Sequence, residues 1–192
     1  MNIDGRSADE LVSAGHARRN AGDLPKSAWL FMKAAEAGSA TGSIHYGLAL
    51  RHGLGVARDE RRGVAELTAA VGHSVADAGI DLRAAASTGT ILPLAQSRAF
   101  AKDTALALVE LGACALEGAG QPRSPDAALE ALRMAACLGD ASAQEQLGYL
   151  LSKGASSVRK DMREAAMWYR AALDGGANIP GIAWVWKEKY GK

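Results

Sequence analysis

The sequence predicts an all-α fold, an α-solenoid of antiparallel helix hairpins winding into a right-handed superhelix. Three observations carry this expectation. Aromatic residues make up only 5% of the 192 residues while alanine and leucine abound, and the β-branched runs that form strands are missing. Four segments end alike, each an amphipathic stretch running into a glycine suited to a left-handed C-cap: "FMKAAEAG" (31–38), "ELTAAVG" (66–72), "LRMAACLG" (132–139) and "WYRAALDG" (168–175). Upstream of three of them lie "YGLALRHG" (46–53), "LGACALEG" (111–118) and "LGYLLSKG" (147–154), each with glycines six residues apart. The last two copies hold a constant offset of 36 residues, since Gly112 maps on Gly148, Gly118 on Gly154, Ala136 on Ala172 and Gly139 on Gly175. Self-similarity of this kind marks stacked helical units that form one continuous domain.

Each unit reads as helix A, a loop, and helix B ending in paired alanines and a glycine. Hairpin 1 spans 8–38, its helices joined through "NAGDLPKSAW", and hairpin 2 spans 39–72, with Asp59 placed to cap its helix B. Between Gly72 and Gly112 lie 39 residues, where only eight separate Gly38 from Gly47. The surplus, 73–104, is expected to extend helix B, make a surface excursion around "AASTGTILPLAQS" and lead into a long helix A. Hairpin 3 spans 105–139, where Ser124 is an N-cap followed by Pro125 at the first helical position. Hairpin 4 spans 140–175, where Asp161 and Glu164 have capping-box spacing. In the remaining 176–192, Ile182, Trp184 and Trp186 alternate with small residues ahead of Lys187, Glu188 and Lys189, and bulky aromatics are expected to cap the exposed core there.

Composition removes several function classes. Lys plus Arg number 22 against 21 Asp plus Glu, so no net field draws the chain to nucleic acid or to an anionic membrane. The start shows no basic segment leading into an apolar run, and no stretch of roughly 18 apolar residues occurs. A cytoplasmic or nuclear protein is expected. Cys114 and Cys137 lie in alanine- and leucine-rich segments with no ligand pattern around them, which predicts two buried, reduced thiols.

Site chemistry was sought in the glycine-rich "HYGLALRHGLGV" (45–56). A phosphate loop needs glycines leading from a strand into a helix, and "GLGVARDE" follows a helix and lacks both G-x-G-x-x-G and Lys-Ser/Thr. His45 and His52 stand seven residues apart, about two helical turns, but no HExxH or Cys/His cluster completes a metal site. With His16 and His73 they are expected to be exposed or to satisfy loops. No G-x-S-x-G occurs, and the pairs Asp9-Glu10 and Asp59-Glu60 sit at helix starts, where the helix dipole explains them. No catalytic, metal or cofactor residue is assigned, no cofactor is expected, and an enzyme is the least supported of three readings.

The favoured reading is geometric. Helices A are expected to line a concave wall suited to a peptide or a partner helix. Counting from the close-packed glycine of each helix A nominates His16, Arg19, Arg51, Glu117, Glu145, Tyr149 and Ser152 as groove residues. Arg51 is thereby expected to be dispensable for stability. The alternative is self-assembly through the aromatic ending or the repeat ends.

The pattern of "LG", a glycine six residues on, a loop, "AA" and a closing glycine resembles the Sel-one-like repeat, a relative of the tetratricopeptide repeat. The first hairpin resembles a plain tetratricopeptide hairpin. The segments "ELVSAGHARRNAGDLPKSAWLFMKAAEAGSATGSIHYGLALRHGLGV", "LAQSRAFAKDTALALVELG" and "IAWVWKEKYG" are similar to a fungal group of such proteins that includes a mitosis inhibitor. That resemblance implies a non-enzymatic interaction protein, with a protein kinase among the expected partners and cell-cycle or polarity signalling as the setting.

Overall fold

The structure, a computed structural model, describes residues 5–92, 98–155 and 157–191. It divides into two compact units, Met1–Gly79 with Ala119–Gln121, and Ile80–Gly118 with Pro122–Lys192. All regular structure among the described residues is helical.

The first unit holds α1 (Ala8–Asn20), α2 (Leu24–Glu36), α3 (Ala40–His52) and α4 (Glu60–Ala78). Their starts follow from short polar side chains that satisfy free helix N–H groups. Ser7 and Glu10 form a reciprocal capping box at α1, while Asp23, Ser39 and Asp59 each accept from the third residue onward. Gly53 ends α3 in the left-handed region at φ 70°.

Helix α1 pairs with α2 and α3 with α4, and α3 packs on α2 as well. Small residues set the separations. A Cβ on Gly42 would stand 2.6 Å from the Ala34 Cβ, and one on Gly47 would stand 2.9 Å from Leu67 Cγ and 3.1 Å from the Gly63 carbonyl oxygen. Because α3 has neighbours on both sides, it buries Ile44, His45, Tyr46, Gly47, Ala49, Leu50 and Arg51, whereas α1 buries only Leu11 and Gly15. Gly55, at φ 76°, lies against the backbone of Leu24 and Pro25, so the loop after α3 rests on the start of α2 with no room for a side chain.

The second unit holds α5 (Leu82–Thr88), α6 (Arg98–Glu117), α7 (Pro125–Cys137), α8 (Ala141–Lys153) and α9 (Met162–Asp174), then 3-10 turns at Ala183–Trp186 and Glu188–Tyr190. Ser124, Asp140 and Asp161 cap α7, α8 and α9. In the segment that separates the two regular stretches, α5 buries Leu82, Ala85 and Ala86 and packs along α7. The Leu92 N–H then donates to the Cys137 carbonyl at 2.8 Å. Within this unit α5 and the residues after it therefore lie along helices B; residues 93–97 of the expected excursion fall outside those described.

Of the four glycines expected as left-handed caps, Gly38 and Gly139 have positive φ, but Gly72 lies inside α4, which runs on to Gly79, and Gly175 has φ −76°, the left-handed turn falling on Gly176. Two further local details depart from expectation. Asp161 accepts from the N–H groups of Arg163 and Glu164, but the Glu164 carboxylate does not turn back as a capping box would. It pairs with Arg133 of α7 at 2.7 Å and accepts from the indole N–H of the fully buried Trp168 at 3.2 Å. A charge-assisted bond between two half-buried helices outcompetes a helix-end bond in water. In the C-terminal segment Trp186 is 61% exposed, and it is Val185 that is fully buried against Ala166 and Tyr169. The alternation expected there assumes extended chain, whereas a 3-10 turn repeats every three residues and places Ile182 and Val185 on the inner side together. Arg170 fastens the segment by donating to the Val185 and Gly191 carbonyls.

Cys114 and Cys137 are both buried, and burial pushes the Cys137 pKa up to about 11. Such a thiol is protonated and inert at neutral pH.

Candidate functional site

Of the seven residues nominated from sequence, His16, Arg19 and Arg51 belong to the first unit and Glu117, Glu145, Tyr149 and Ser152 to the second. The structure gathers His16 with Arg19 and Glu145 with Tyr149 and Ser152, and leaves Arg51 and Glu117 outside these groups.

In the first unit, His16 of α1 stands edge-on to His45 of α3 at 4.5 Å and to Phe31 of α2 at 5.2 Å between ring centroids. The Arg19 guanidinium donates to His16 Nδ1 at 3.0 Å and lies 5.9 Å above the Phe31 ring. Phe31 is 2% exposed and His45 5%, so this stack is closed. Burial, reinforced by the positive charge of His16 and Arg19, drives the His45 pKa down to about 3, and the imidazole is neutral at physiological pH. His45 was expected at the surface; a helix A flanked on both sides brings it inside.

Arg51 is corrected in the same way. It is 7% exposed and its backbone and Cβ lie against Gly63 of α4, so it is no surface contact residue. The offset that leaves Arg19 exposed at the end of α1 puts Arg51 against α4, where Gly63 has no side chain to hold it off.

In the second unit, Glu145, Tyr149 and Ser152 lie on one face of α8 and surround the ring of Tyr169 from α9. Tyr149 is 59% exposed. The Tyr169 ring packs flat on Gly148, where an added Cβ would stand 3.0 Å from it. Burial pushes its phenol up, a hydrogen bond with Ser152 opposes that, and Glu145 and Tyr149 add to it. Trp184 meets Tyr169 edge-on at 5.9 Å, and Tyr190 meets Trp184 edge-on at 5.2 Å. Glu117 closes α6 as an exposed residue. Phe31, His45, Tyr169 and Lys153 were missed as site residues; the signal for Tyr169 was its place on helix B, six positions before Gly175, where it faces Gly148 of helix A.

The open clefts carry no concentrated acid–base chemistry. One of about 680 Å³ is lined by Tyr46, Leu50, Val56, Arg58, Asp59 and Arg62 among others, and one of about 570 Å³ by the corresponding Val158 and Asp161 with Arg133 and Glu164. Among their charged groups, Arg58 pairs with Glu60, Arg62 with Glu66 and Arg133 with Glu164. His45, Cys137 and Tyr169, whose pKa values are shifted, line neither. Among the described residues no group of three His, Cys, Asp or Glu is placed to hold a metal ion, and no helix is long and apolar enough to cross a membrane.

Comparison with known proteins places these hairpins. The family model described as Sel1 repeat matches residues 44–65, 105–140 and 141–176. Protein DSF2 of Saccharomyces cerevisiae is 35% identical over 192 residues, covering 96% of this chain and 25% of that protein. Mitosis inhibitor nif1 of Schizosaccharomyces pombe is 41% identical over 87 residues, 45% of this chain and 13% of that protein. The chain thus spans a quarter or less of the length of these curated relatives. Among solved structures, a Sel1 repeat protein from Oxalobacter formigenes aligns at 23% identity with a TM-score of 0.40, covering 92% of this chain and 77% of that one. The protective antigen c5321 of uropathogenic Escherichia coli aligns at 24% identity with a TM-score of 0.40, covering 90% and 39%. The two full-length family matches fall on α6–α7 and α8–α9 in the same 36-residue register that relates Gly112 to Gly148, and the chain carries Sel1 repeats.

Proposed function

We propose that this chain is a non-enzymatic protein-interaction scaffold that takes a peptide segment or partner helix on the exposed faces of its helices A, above all on α8. The observation that carries the reading is Tyr149, which stands 59% exposed on a helix whose other side buries Leu147, Gly148, Leu150 and Leu151. A tyrosine offers a large rigid contact at low entropic cost and is enriched where binding energy concentrates. The Sel1 repeat is commonly an interaction module, and the relative named as a mitosis inhibitor supports a setting in fungal cell-cycle or polarity control, with a protein kinase as one partner class.

Selection of displayed fungal proteome fragments against the chain tests this. Enriched fragments should lose binding to Tyr149→Ala while the variant melts like the parent. A selection that enriches nothing, or fragments indifferent to substitutions on α8 and at Arg19, would remove the reading. Self-association is a second reading, favoured by Trp186 at 61% exposure; light scattering that shows a monomer across a concentration series would remove it.

A further inference from the structure

We infer that the cleft between the start of α7 and the loop joining α8 to α9 is a docking site for an acidic segment of a protein partner, an extended run carrying several carboxylates. The inference goes beyond the reading of α8 as a binding face. Tyr149 does not line this cleft, so either site can stand without the other.

The three longer loops that lead from a helix A to its helix B share a plan, with a cation one residue before the N-cap: Arg58 before Asp59, Arg123 before Ser124 and Lys160 before Asp161. Their charge then diverges. In the first of them Glu60 follows the cap and pairs with Arg58, and Arg62 pairs with Glu66. In the last, Met162 takes the place of Glu60, and Arg159 precedes Lys160 where Ala57 precedes Arg58. Arg159, Lys160 and Arg163 are exposed, and among the described residues they form no ion pair.

All three cations line one cleft of about 570 Å³, together with the apolar Leu129, Leu151 and Val158. Three carboxylates line it too, but two are committed. Glu164 is paired with Arg133 at 2.7 Å, and Asp161 accepts from the N–H groups of Arg163 and Glu164. Asp126 remains, in the first turn of α7, where the helix dipole offsets its charge. The uncommitted charge of the cleft is therefore positive.

The loop is also built in advance of any ligand. Val158 is 4% exposed, its carbonyl accepts from the Ala155 N–H at 2.9 Å, and the Asp161 N–H donates to the Leu151 carbonyl at 3.0 Å. Cations carried on an anchored backbone cost a ligand little ordering entropy. Charge complementarity selects an anion, and the forks of Arg159 and Arg163 match carboxylates. Because the cations occupy separate positions along the loop, they suit several carboxylates on an extended chain better than one small anion. Nucleic acid is disfavoured, since no aromatic side chain lines the cleft for bases to stack on.

Fluorescence anisotropy of the whole chain with a labelled peptide of about twelve residues, alternating glutamate and serine, tests the inference; the control carries glutamine for each glutamate. The glutamate peptide should bind at least about tenfold more tightly than the control. Arg159→Glu with Arg163→Glu should abolish that advantage with melting unchanged. Arg58→Glu with Arg61→Glu, in the corresponding loop of the first unit, should leave it intact, which a diffuse attraction to the whole surface would not. Equal binding of the glutamine peptide, equal loss from the two double variants, or no saturable binding would each overturn the inference. So would tighter binding of phosphatidylserine vesicles or of an oligothymidylate that depends on the same arginines. Displayed fragments that require Tyr149 would leave the α8 reading standing in every one of these cases.

Discussion

The two aromatic clusters, each joining a helix A to its helix B, are built from similar parts and end in opposite states. In the first unit Phe31, His16, His45 and Arg19 close on one another, and the ring at the centre is 2% exposed. In the second unit Tyr149 is 59% exposed above a buried Tyr169, with Trp184 and Tyr190 extending the surface. The difference lies in the packing partners. In the first unit α3 packs alongside α2 and presses His45 into the cluster, whereas in the second the described residues that join Tyr169 come from two short 3-10 turns. A closed cluster stabilises and an open one is available to a ligand.

The comparison can be broken most severely at the helix crossings. Gly47→Val should destabilise the first unit by about 3 kcal/mol or more, because its Cβ alone would stand 2.9 Å from Leu67 and 3.1 Å from the backbone of Gly63, which cannot rotate away. Gly112→Ala in the second unit meets only the Leu132 side chain at 3.3 Å and should cost less. Hydrogen exchange resolved over α1–α4 and α6–α9 would assign each loss to its unit.

Arg51→Ala comes next. At 7% exposure the side chain gives up packing and buried polar contacts, so urea unfolding should show a loss of roughly 2 kcal/mol, while Arg19→Ala should stay within roughly 0.5 kcal/mol. Equal costs for the two arginines would mean that the difference in their burial carries no energetic weight.

Acid should then separate the units. The unfolded chain takes a proton on His45 near pH 6.5, but the folded chain does so only near pH 3. Between those values the unfolded state binds more protons, so the stability that is complete above pH 6.5 falls as pH drops, by at most about 1.4 kcal/mol per unit from this group. Protection of α1–α3 should weaken first in an acid titration, and His45→Phe should flatten that dependence. The smallest effect on stability is expected at Tyr149→Ala, within about 0.5 kcal/mol by thermal melting, although it should have the largest effect on ligand binding.

Much of this architecture is legible from residue order. Asp59, Ser124 and Asp161 each cap the helix they precede, because a cap requires only a short polar side chain beside its own helix. The spacing of Gly47, Gly112 and Gly148 marks each helix A where it meets its partner, because close approach of two backbones excludes a Cβ whatever surrounds the pair. Tyr149 follows from the same count. The site as a whole does not: equal offsets nominated Arg19 and Arg51 alike, and only the second is buried.

What the sequence by itself determined are the features that depend on one helix or one hairpin: helix starts such as those at Asp59 and Ser124, the left-handed glycines Gly38 and Gly139, and the repeat register. What only the tertiary structure decided is which faces remain open. The burial of His45 and Arg51, the turn that hides Val185 and exposes Trp186, and the diversion of Glu164 to Arg133 each depend on a neighbour distant in sequence. A helix carries its pattern in its own residues, but its exposure is set by how many other helices pack against it.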